Sequence, residues 1–298
     1  MKNLNKISIG ITAYNCSDFL MDAINSVLNQ SVNSWDGVLV LDGGSDRATQ
    51  KIFESFNHPK FKKYTFHKNK GAYQARTKAI NLSKTPWYLQ LDSDDLLPKN
   101  AIKDVLETIN KNPNAQFIYG NCEIFTKNKS KIRKPIEDVE MLCYSPLFNA
   151  ASPISTQLFK SIGGYNKNLV INADWDFWIS VYENEINGAY VNSVIYRRRT
   201  RLNNLGNRYV NERSRIVDEI ISRHPKFFNN KTRIDKAKYY VYNQLARYNR
   251  SIGERKKAAN YVRKAVRIGS NTATFNSILK EENMSLLRYS IRRLGRLL

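Results

Sequence analysis

The chain has 298 residues, 42% of them hydrophobic and 25% charged, the composition of a globular protein with room for one large α/β domain and a smaller appendage. No run reaches the apolar length of a transmembrane helix, residues 1–6 are too polar to open a signal peptide, and Cys16, Cys122 and Cys143 stand in unrelated contexts with no metal-ligand spacing. Reduced thiols and a cytoplasmic location are the expectation. The net charge of +22 is unevenly divided: residues 1–196 carry 22 Lys and Arg against 19 Asp and Glu (+3), residues 197–298 carry 26 against 7 (+19). A basic part of that size implies an anionic partner, whether nucleic acid, a phospholipid surface or an anionic polymer.

In chain order, Ile7-Ser8-Ile9-Gly10-Ile11-Thr12 alternates as a strand does, and Ser17-Asp18 then offers a cap to an amphipathic helix ending near Leu28. Val38-Leu39-Val40-Leu41 is wholly apolar, as a strand covered on both faces requires, and leads through Asp42-Gly43-Gly44-Ser45-Asp46 into a helix over 48–56. Tyr64-Thr65-Phe66 predicts a third strand, and Asn69-Lys70-Gly71 opens a helix over 73–83 that feeds a fourth strand at 87–91. This rhythm implies a parallel, doubly wound sheet. Neither Gly-x-Gly-x-x-Gly nor a Walker loop is present, so any phosphate is held by another device.

The fourth strand ends in Asp92-Ser93-Asp94-Asp95, at the kind of strand end where ligands of open α/β sheets bind. If extended geometry persists past the strand, Asp92 and Asp94 project to one side and Asp95 to the other. Two like charges at that spacing call for a cation, and Mg²⁺ or Mn²⁺ held by one or two carboxylates plus substrate phosphates satisfies them. The competing reading is a solvated acidic loop capping a helix over 101–110, and spacing alone does not separate the two. An EF-hand fails here because its sixth position is Leu97, and at 172–177 because it is Phe177.

The succession Thr12-Ala13-Tyr14-Asn15, Asp42-Gly43-Gly44-Ser45, Asn69-x-Gly71-x-x-x-Ala75-Arg76, Leu91-Asp92-Ser93-Asp94-Asp95, then Gly163-Gly164-Tyr165-Asn166 and Asp174-Trp175-Asp176-Phe177-Trp178, resembles the family 2 glycosyltransferases. It covers roughly the first 200 residues. The resemblance implies a GT-A nucleotide-diphospho-sugar transferase fold, Rossmann-like with a mostly parallel sheet, followed here by an all-helical extension. It implies nucleotide contacts at Thr12, Tyr14, Asp42, Arg76, Asp92 and Ser93, and a divalent Mn or Mg ion on Asp94 with Asp92. Asp174 corresponds to the catalytic base, with Asp176 as fallback; the alternative role for either is a helix N-cap. Trp175, Gly163 and Gly164 correspond to the acceptor side. Departures are Gly43 where the family often carries the second of two adjacent aspartates, Ala173 where it usually carries the first member of an acidic pair, Thr77 and Ala79 where Asn and Gly are frequent, and Arg199 near a frequent histidine. A guanidinium at Arg199 would neutralise the diphosphate in that histidine's place.

Residues 127–134 read as an exposed basic turn or loop, and 149–157 as lining of the acceptor cleft before a short helix at 158–162. A boundary at 202/203 divides a catalytic domain from a basic helical extension. There, helical spacing over 239–248 and 256–266 around Ser251-Ile252-Gly253 resembles one tetratricopeptide-type hairpin, or ordinary antiparallel helices. Leu287, Ile291, Leu294 and Leu298 alternate with Arg288, Arg292, Arg293 and Arg296, a basic amphipathic helix suited to a membrane surface or to packing as core.

The expected function is inverting transfer of a sugar from a nucleotide-diphosphate donor to a hydroxyl of a glycan or lipid-linked acceptor, in cell-surface polysaccharide synthesis. The expected location is cytoplasmic, peripheral at the inner face of the membrane. The rival is a nucleic-acid-binding protein using the basic C-terminal part; no recognition motif for nucleic acid is legible, and it leaves the acidic cluster unexplained.

Overall fold

A computed structural model describes residues 6–200 and 209–269. The chain divides into two compact units, one of Met1–Val139 with Pro146–Leu205, the other of Glu140–Ser145 with Gly206–Leu298. The excursion of Glu140–Ser145 into the second unit has no counterpart in the sequence patterns.

The first unit runs β1 (Ile7–Ala13), α1 (Leu20–Leu28), β2 (Trp35–Leu41), α2 (Arg47–Ser55), β3 (Phe61–Thr65), α3 (Ala72–Leu82), β4 (Trp87–Asp92) and α4 (Ala101–Lys111). It continues with β5 (Phe117–Phe125), β6 (Ser130–Arg133), β7 (Ile154–Ser155), α5 (Thr156–Ser161), α6 (Ala173–Glu183) and β8 (Gly188–Arg199). The sheet order is β3-β2-β1-β4-β7-β5-β6, with β8 also on β5. Strands β1 to β4 are parallel, β7 runs antiparallel between β4 and β5, and β8 is parallel to β5. The mostly parallel α/β expectation is met. Register sets the site: Thr12 lies opposite Val40 on one side and Asp92 on the other, so β1, β2 and β4 end level with one another.

The apolar runs do what their composition requires. Ile7, Ile9, Ile11, Leu39, Leu89 and Leu91 are fully buried, with Leu20, Ile24 and Val27 of α1 and Ile102, Val105 and Leu106 of α4 packed into the same core. Helix α2 is capped by Asp46, whose carboxylate accepts from the Thr49 amide at 2.7 Å. Helix α1 is not capped by Ser17-Asp18 as expected. It begins at Leu20 with the Phe19 and Leu20 amides both on the Cys16 carbonyl, at 3.0 and 2.9 Å, so the backbone makes the cap. Residues 127–134 hold more structure than a loop, since β6 pairs antiparallel with β5 while all four of its residues stay exposed.

Within the second unit, α7 (Arg213–Arg223) precedes α8 (Lys231–Ser251) and α9 (Arg255–Gly269). The turn between α8 and α9 passes through Gly253 at φ 81°, and Tyr239 and Ala265 form a small core with Tyr242 and Ile268 against it. Glu140 accepts from Arg233 and Lys236, at 2.7 and 2.9 Å. No helix among the described residues is long and apolar enough to cross a membrane. The amphipathic stretch from Leu287 to Leu298 lies outside the described residues.

Candidate active site

The level ends of β1, β2 and β4 gather the residues that the sequence singled out. Asp42, the first residue past β2, donates its amide to the Ala13 carbonyl at 2.9 Å. Its carboxylate, 3% exposed, accepts from the amides of Lys70 at 2.7 Å and Gly71 at 2.8 Å. Asp42 therefore pins the loop that opens α3, in addition to any base that its remaining lone pairs could read. The absence of a second aspartate has a steric reason: a Cβ on Gly43 would lie 2.4 Å from both the Lys68 nitrogen and the Phe66 oxygen, backbone atoms that cannot swing aside. Asn15, at φ 47°, ties the first two loops together by accepting from the Asp46 amide at 2.7 Å and donating its own amide to Ser45 Oγ at 2.9 Å. Tyr14 is partly buried beside it, and Thr12 Oγ1 accepts from Gln90 Nε2 at 3.3 Å.

Strand β4 stops at Asp92, and the Asp95 amide on the Asp92 carbonyl at 3.0 Å closes a turn. The extended geometry assumed for 92–94 is thus corrected to a turn, and its carboxylates meet different partners. Both oxygens of Asp92 accept from Arg76 Nη2 at 2.7 Å. Asp94 stays partly exposed, and its carbonyl accepts Arg199 Nε at 2.9 Å. Asp95, 4% exposed, accepts from the Tyr196 hydroxyl at 2.5 Å and the Arg199 amide at 2.6 Å. Burial, then the Asp92 charge, push the Asp95 carboxyl up to about 7 against the pull of the Tyr196 hydrogen bond. Ser93 is buried and shares a side-chain hydrogen bond with Cys16, whose thiol is pushed up chiefly by burial. The cluster does not cap the following helix: α4 begins after Asn100 with no side-chain cap bond.

Arg76 is nearly buried, its guanidinium 5.0 Å from the Tyr73 ring centre, and its buried Nε has no hydrogen-bond partner. Burial by itself would lower the guanidinium's proton affinity; the charge of Asp92, with Tyr73, Tyr165 and Asp174, more than offsets this, and Arg76 stays charged. Arg199 reaches the turn from the end of β8, 3.2 Å from Asp22 and stacked between Phe19 and Phe125 at 4.8 and 4.9 Å.

Helix α6 begins at Ala173 after Asn172, which sits in the left-handed region at φ 63°. Neither Asp174 nor Asp176 is the N-cap, contrary to the alternative raised from sequence. On a helix, positions two apart lie about 200° around the axis, and the two separate accordingly. Asp174 is partly exposed and accepts from the Tyr73 hydroxyl at 2.7 Å, whereas Asp176 is 1% exposed. Trp175 is also packed away, at 2% exposure, and offers no ring surface to an acceptor in this conformation. Gly163 and Gly164 turn the chain after α5 at φ 81° and 67°, where a Cβ on Gly164 would meet the Phe159 ring at 2.7 Å. That turn seats Tyr165 against Tyr73 and Phe177, at 5.2 and 5.5 Å between ring centres.

Three tyrosines escaped the sequence reading: Tyr73, Tyr165 and Tyr196. None of them was given a role, although Tyr165 stands in the Gly163-Gly164-Tyr165-Asn166 motif and Tyr73 lies three residues before Arg76 on one helical face. Among the described residues no group of three or more His, Cys, Asp or Glu gathers as a metal cage. A hard divalent cation nevertheless fits the donor set, because Asp94 with Asp92 offers the one or two carboxylates that such an ion needs when diphosphate oxygens and water complete its shell.

Residues 8–168 match the family described as Glycosyl transferase family 2. The chain is similar to chondroitin synthase of Escherichia coli, 25% identical over 232 residues covering 75% of this chain and 34% of that protein. It is similar to hyaluronan synthase of Pasteurella multocida, 23% identical over 261 residues covering 83% and 26%. A further relative is the UDP-Glc:alpha-D-GlcNAc-diphosphoundecaprenol beta-1,3-glucosyltransferase WfgD of E. coli, 33% identical over 122 residues covering 41% and 47%. The chain thus spans about a third or less of the first two relatives and under half of the third. Among solved structures, residues 1–349 of S. aureus TarS in complex with UDP-GlcNAc superpose with a TM-score of 0.64 at 15% identity, over 88% of this chain and 81% of that one. The UDP complex gives 0.58 at 16% identity, over 81% and 72%. The fold is of the GT-A type, and with the family pattern matched over more than half its length, including the ends of β1, β2 and β4, the chain belongs to glycosyl transferase family 2.

Proposed function

We propose that this protein is an inverting glycosyltransferase that moves a sugar from a nucleotide-diphosphate donor to a hydroxyl of a glycan or lipid-linked acceptor. One observation carries the reading. The turn that ends β4 carries Asp92 and Asp94 with guanidinium groups on both sides, and α3 links that turn through Arg76 and Tyr73 to a third carboxylate, Asp174. A solvated acidic loop needs no such partners.

In this reading Thr12, Tyr14 and Asp42 receive the nucleoside, with Arg76 and Arg199 supplying fixed positive charge on the diphosphate side. A divalent cation on Asp94 with Asp92, when bound, stabilises charge developing on the leaving diphosphate. Asp174 takes the proton of the acceptor hydroxyl as its oxygen bonds to the anomeric carbon. The bond from that carbon to the diphosphate breaks on the opposite face, so configuration inverts and the nucleoside diphosphate leaves.

The names of the relatives direct the choice of substrates. One carries UDP-Glc and a diphosphoundecaprenol acceptor, others are polysaccharide synthases, and the structural neighbour was solved with UDP and UDP-GlcNAc. A uridine-diphosphate sugar and a cell-surface glycan, on a lipid carrier at the inner membrane face, follow as the proposed pair. The basic C-terminal part would hold the protein at that anionic surface.

A thermal-stabilisation screen of UDP, GDP, dTDP and CMP sugars with Mn²⁺ or Mg²⁺ tests this. A donor at 100 times its Kd stabilises the fold by about 2.7 kcal/mol, and a UDP sugar is expected to do so selectively. Indifference to every nucleotide, together with tight and salt-steep binding to DNA, would replace this reading with the nucleic-acid one.

A further inference from the structure

We infer that Tyr73 is the positioning residue of the base, holding Asp174 toward the acceptor hydroxyl through the bond from its own hydroxyl. The inference rests on the proposed role of Asp174 and adds a residue to it. Asp174 stands in the first turn of α6, where a partly exposed carboxylate rotates about two side-chain bonds and has no fixed aim of its own. The Tyr73 hydroxyl donates to one of its oxygens, Oδ1, at 2.7 Å and leaves the other to the acceptor.

Tyr73 is well suited to the task. It is 8% exposed, its ring is held by Tyr165 at 5.2 Å, and the Arg76 guanidinium lies 5.0 Å from the ring centre. The phenol is pushed well above its ordinary range, first by burial and then by the Asp174 charge, so it stays protonated and acts as donor. Three residues along the same helical face, Arg76 grips Asp92. One helix face therefore fixes a carboxylate of the metal turn and the base, and sets the distance between donor and acceptor chemistry in a single rigid element. Catalytic groups gain from such support because small misplacements cost rate steeply.

The test is Tyr73→Phe, which removes the hydroxyl and keeps the ring, alongside Asp174→Asn and the double variant. The assay is UDP release from UDP-glucose and UDP-N-acetylglucosamine, with water or an N-acetylglucosaminyl diphospholipid as acceptor. Tyr73→Phe is expected to lower kcat by about 10- to 100-fold, with UDP affinity and donor KM within twofold of wild type and an unchanged melting temperature. Because Tyr73 acts through Asp174, the double variant should be no slower than Asp174→Asn alone. Full kcat in Tyr73→Phe, a matching loss of UDP affinity, or losses that multiply in the double variant would each overturn the inference. Full turnover in Asp174→Asn would instead overturn the base assignment, and the two failures are read from different variants.

Discussion

Asp92 gives both oxygens to Arg76 and Asp95 is 4% exposed, whereas Asp94 is partly exposed, and on the proposed reading its substitution should act chiefly on turnover. Asp94→Asn is expected to lower kcat by about 10²- to 10³-fold, the scale of losing one preorganised electrostatic contact, with the melting temperature unmoved. EDTA should reproduce that loss on the wild-type protein, and near-full turnover in its presence would remove the cation from the reading. The two aspartates of α6 should part company in the same way that the structure separates them. On the proposed assignment of Asp174 as base, Asp174→Asn should keep UDP affinity and folding and lose turnover. Asp176→Asn replaces a carboxylate that is 1% exposed and should show first as a lower melting temperature, by about 1–3 kcal/mol of stability. Reversed phenotypes would move the base to Asp176.

Elements explain what the residue list could not. Alternation and apolar runs made β1, β2 and β4 legible in sequence, since each must bury its side chains against helices on a sheet. Turns were harder, because one hydrogen bond, from the Asp95 amide to the Asp92 carbonyl, decides whether three carboxylates lie along a strand or fan out around a bend. Burial within α6 was hidden for a related reason: Trp175 and Asp176 read as site residues by motif, and the helix turns both inward. Tyr73 was missed because its partner is 101 residues away, and no local pattern reports such a contact. The Gly43 departure, by contrast, becomes predictable once the neighbouring backbone is known. Gly43→Asp restores the acidic pair common in the family, yet its Cβ would fall 2.4 Å from backbone atoms of Phe66 and Lys68. It should therefore cost about 2–4 kcal/mol in urea unfolding and weaken UDP binding through the loop that Asp42 pins. Wild-type stability in that variant would show that the β2 loop can open.

At the scale of the whole chain, the second unit is held partly by charge and carries most of the net charge. Glu140 lies in its first segment, where burial alone would raise its carboxyl; the hydrogen bonds from Lys236 and Arg233 outweigh that and hold it below the ordinary glutamate range. A depressed folded value means stability that is complete above the unfolded glutamate pKa and lost as pH falls through the folded one. Glu140→Gln should thus cost about 1–3 kcal/mol at neutral pH, and the gap to wild type should close in acid. The other charges face a different test. Residues 197–298 hold 26 Lys and Arg against 7 Asp and Glu, and the last of them interleave with Leu287, Ile291, Leu294 and Leu298. On the proposed reading this pattern would serve an anionic membrane surface, each arginine adding about 1 kcal/mol there, where a lipid-linked acceptor would present itself. Deleting residues 285–298 should release the protein from vesicles of phosphatidylglycerol while leaving turnover on a soluble acceptor intact. Continued binding after the deletion would assign the anchoring to the basic helices α7 to α9, and aggregation of the shortened chain would show that the leucine stripe packs as core.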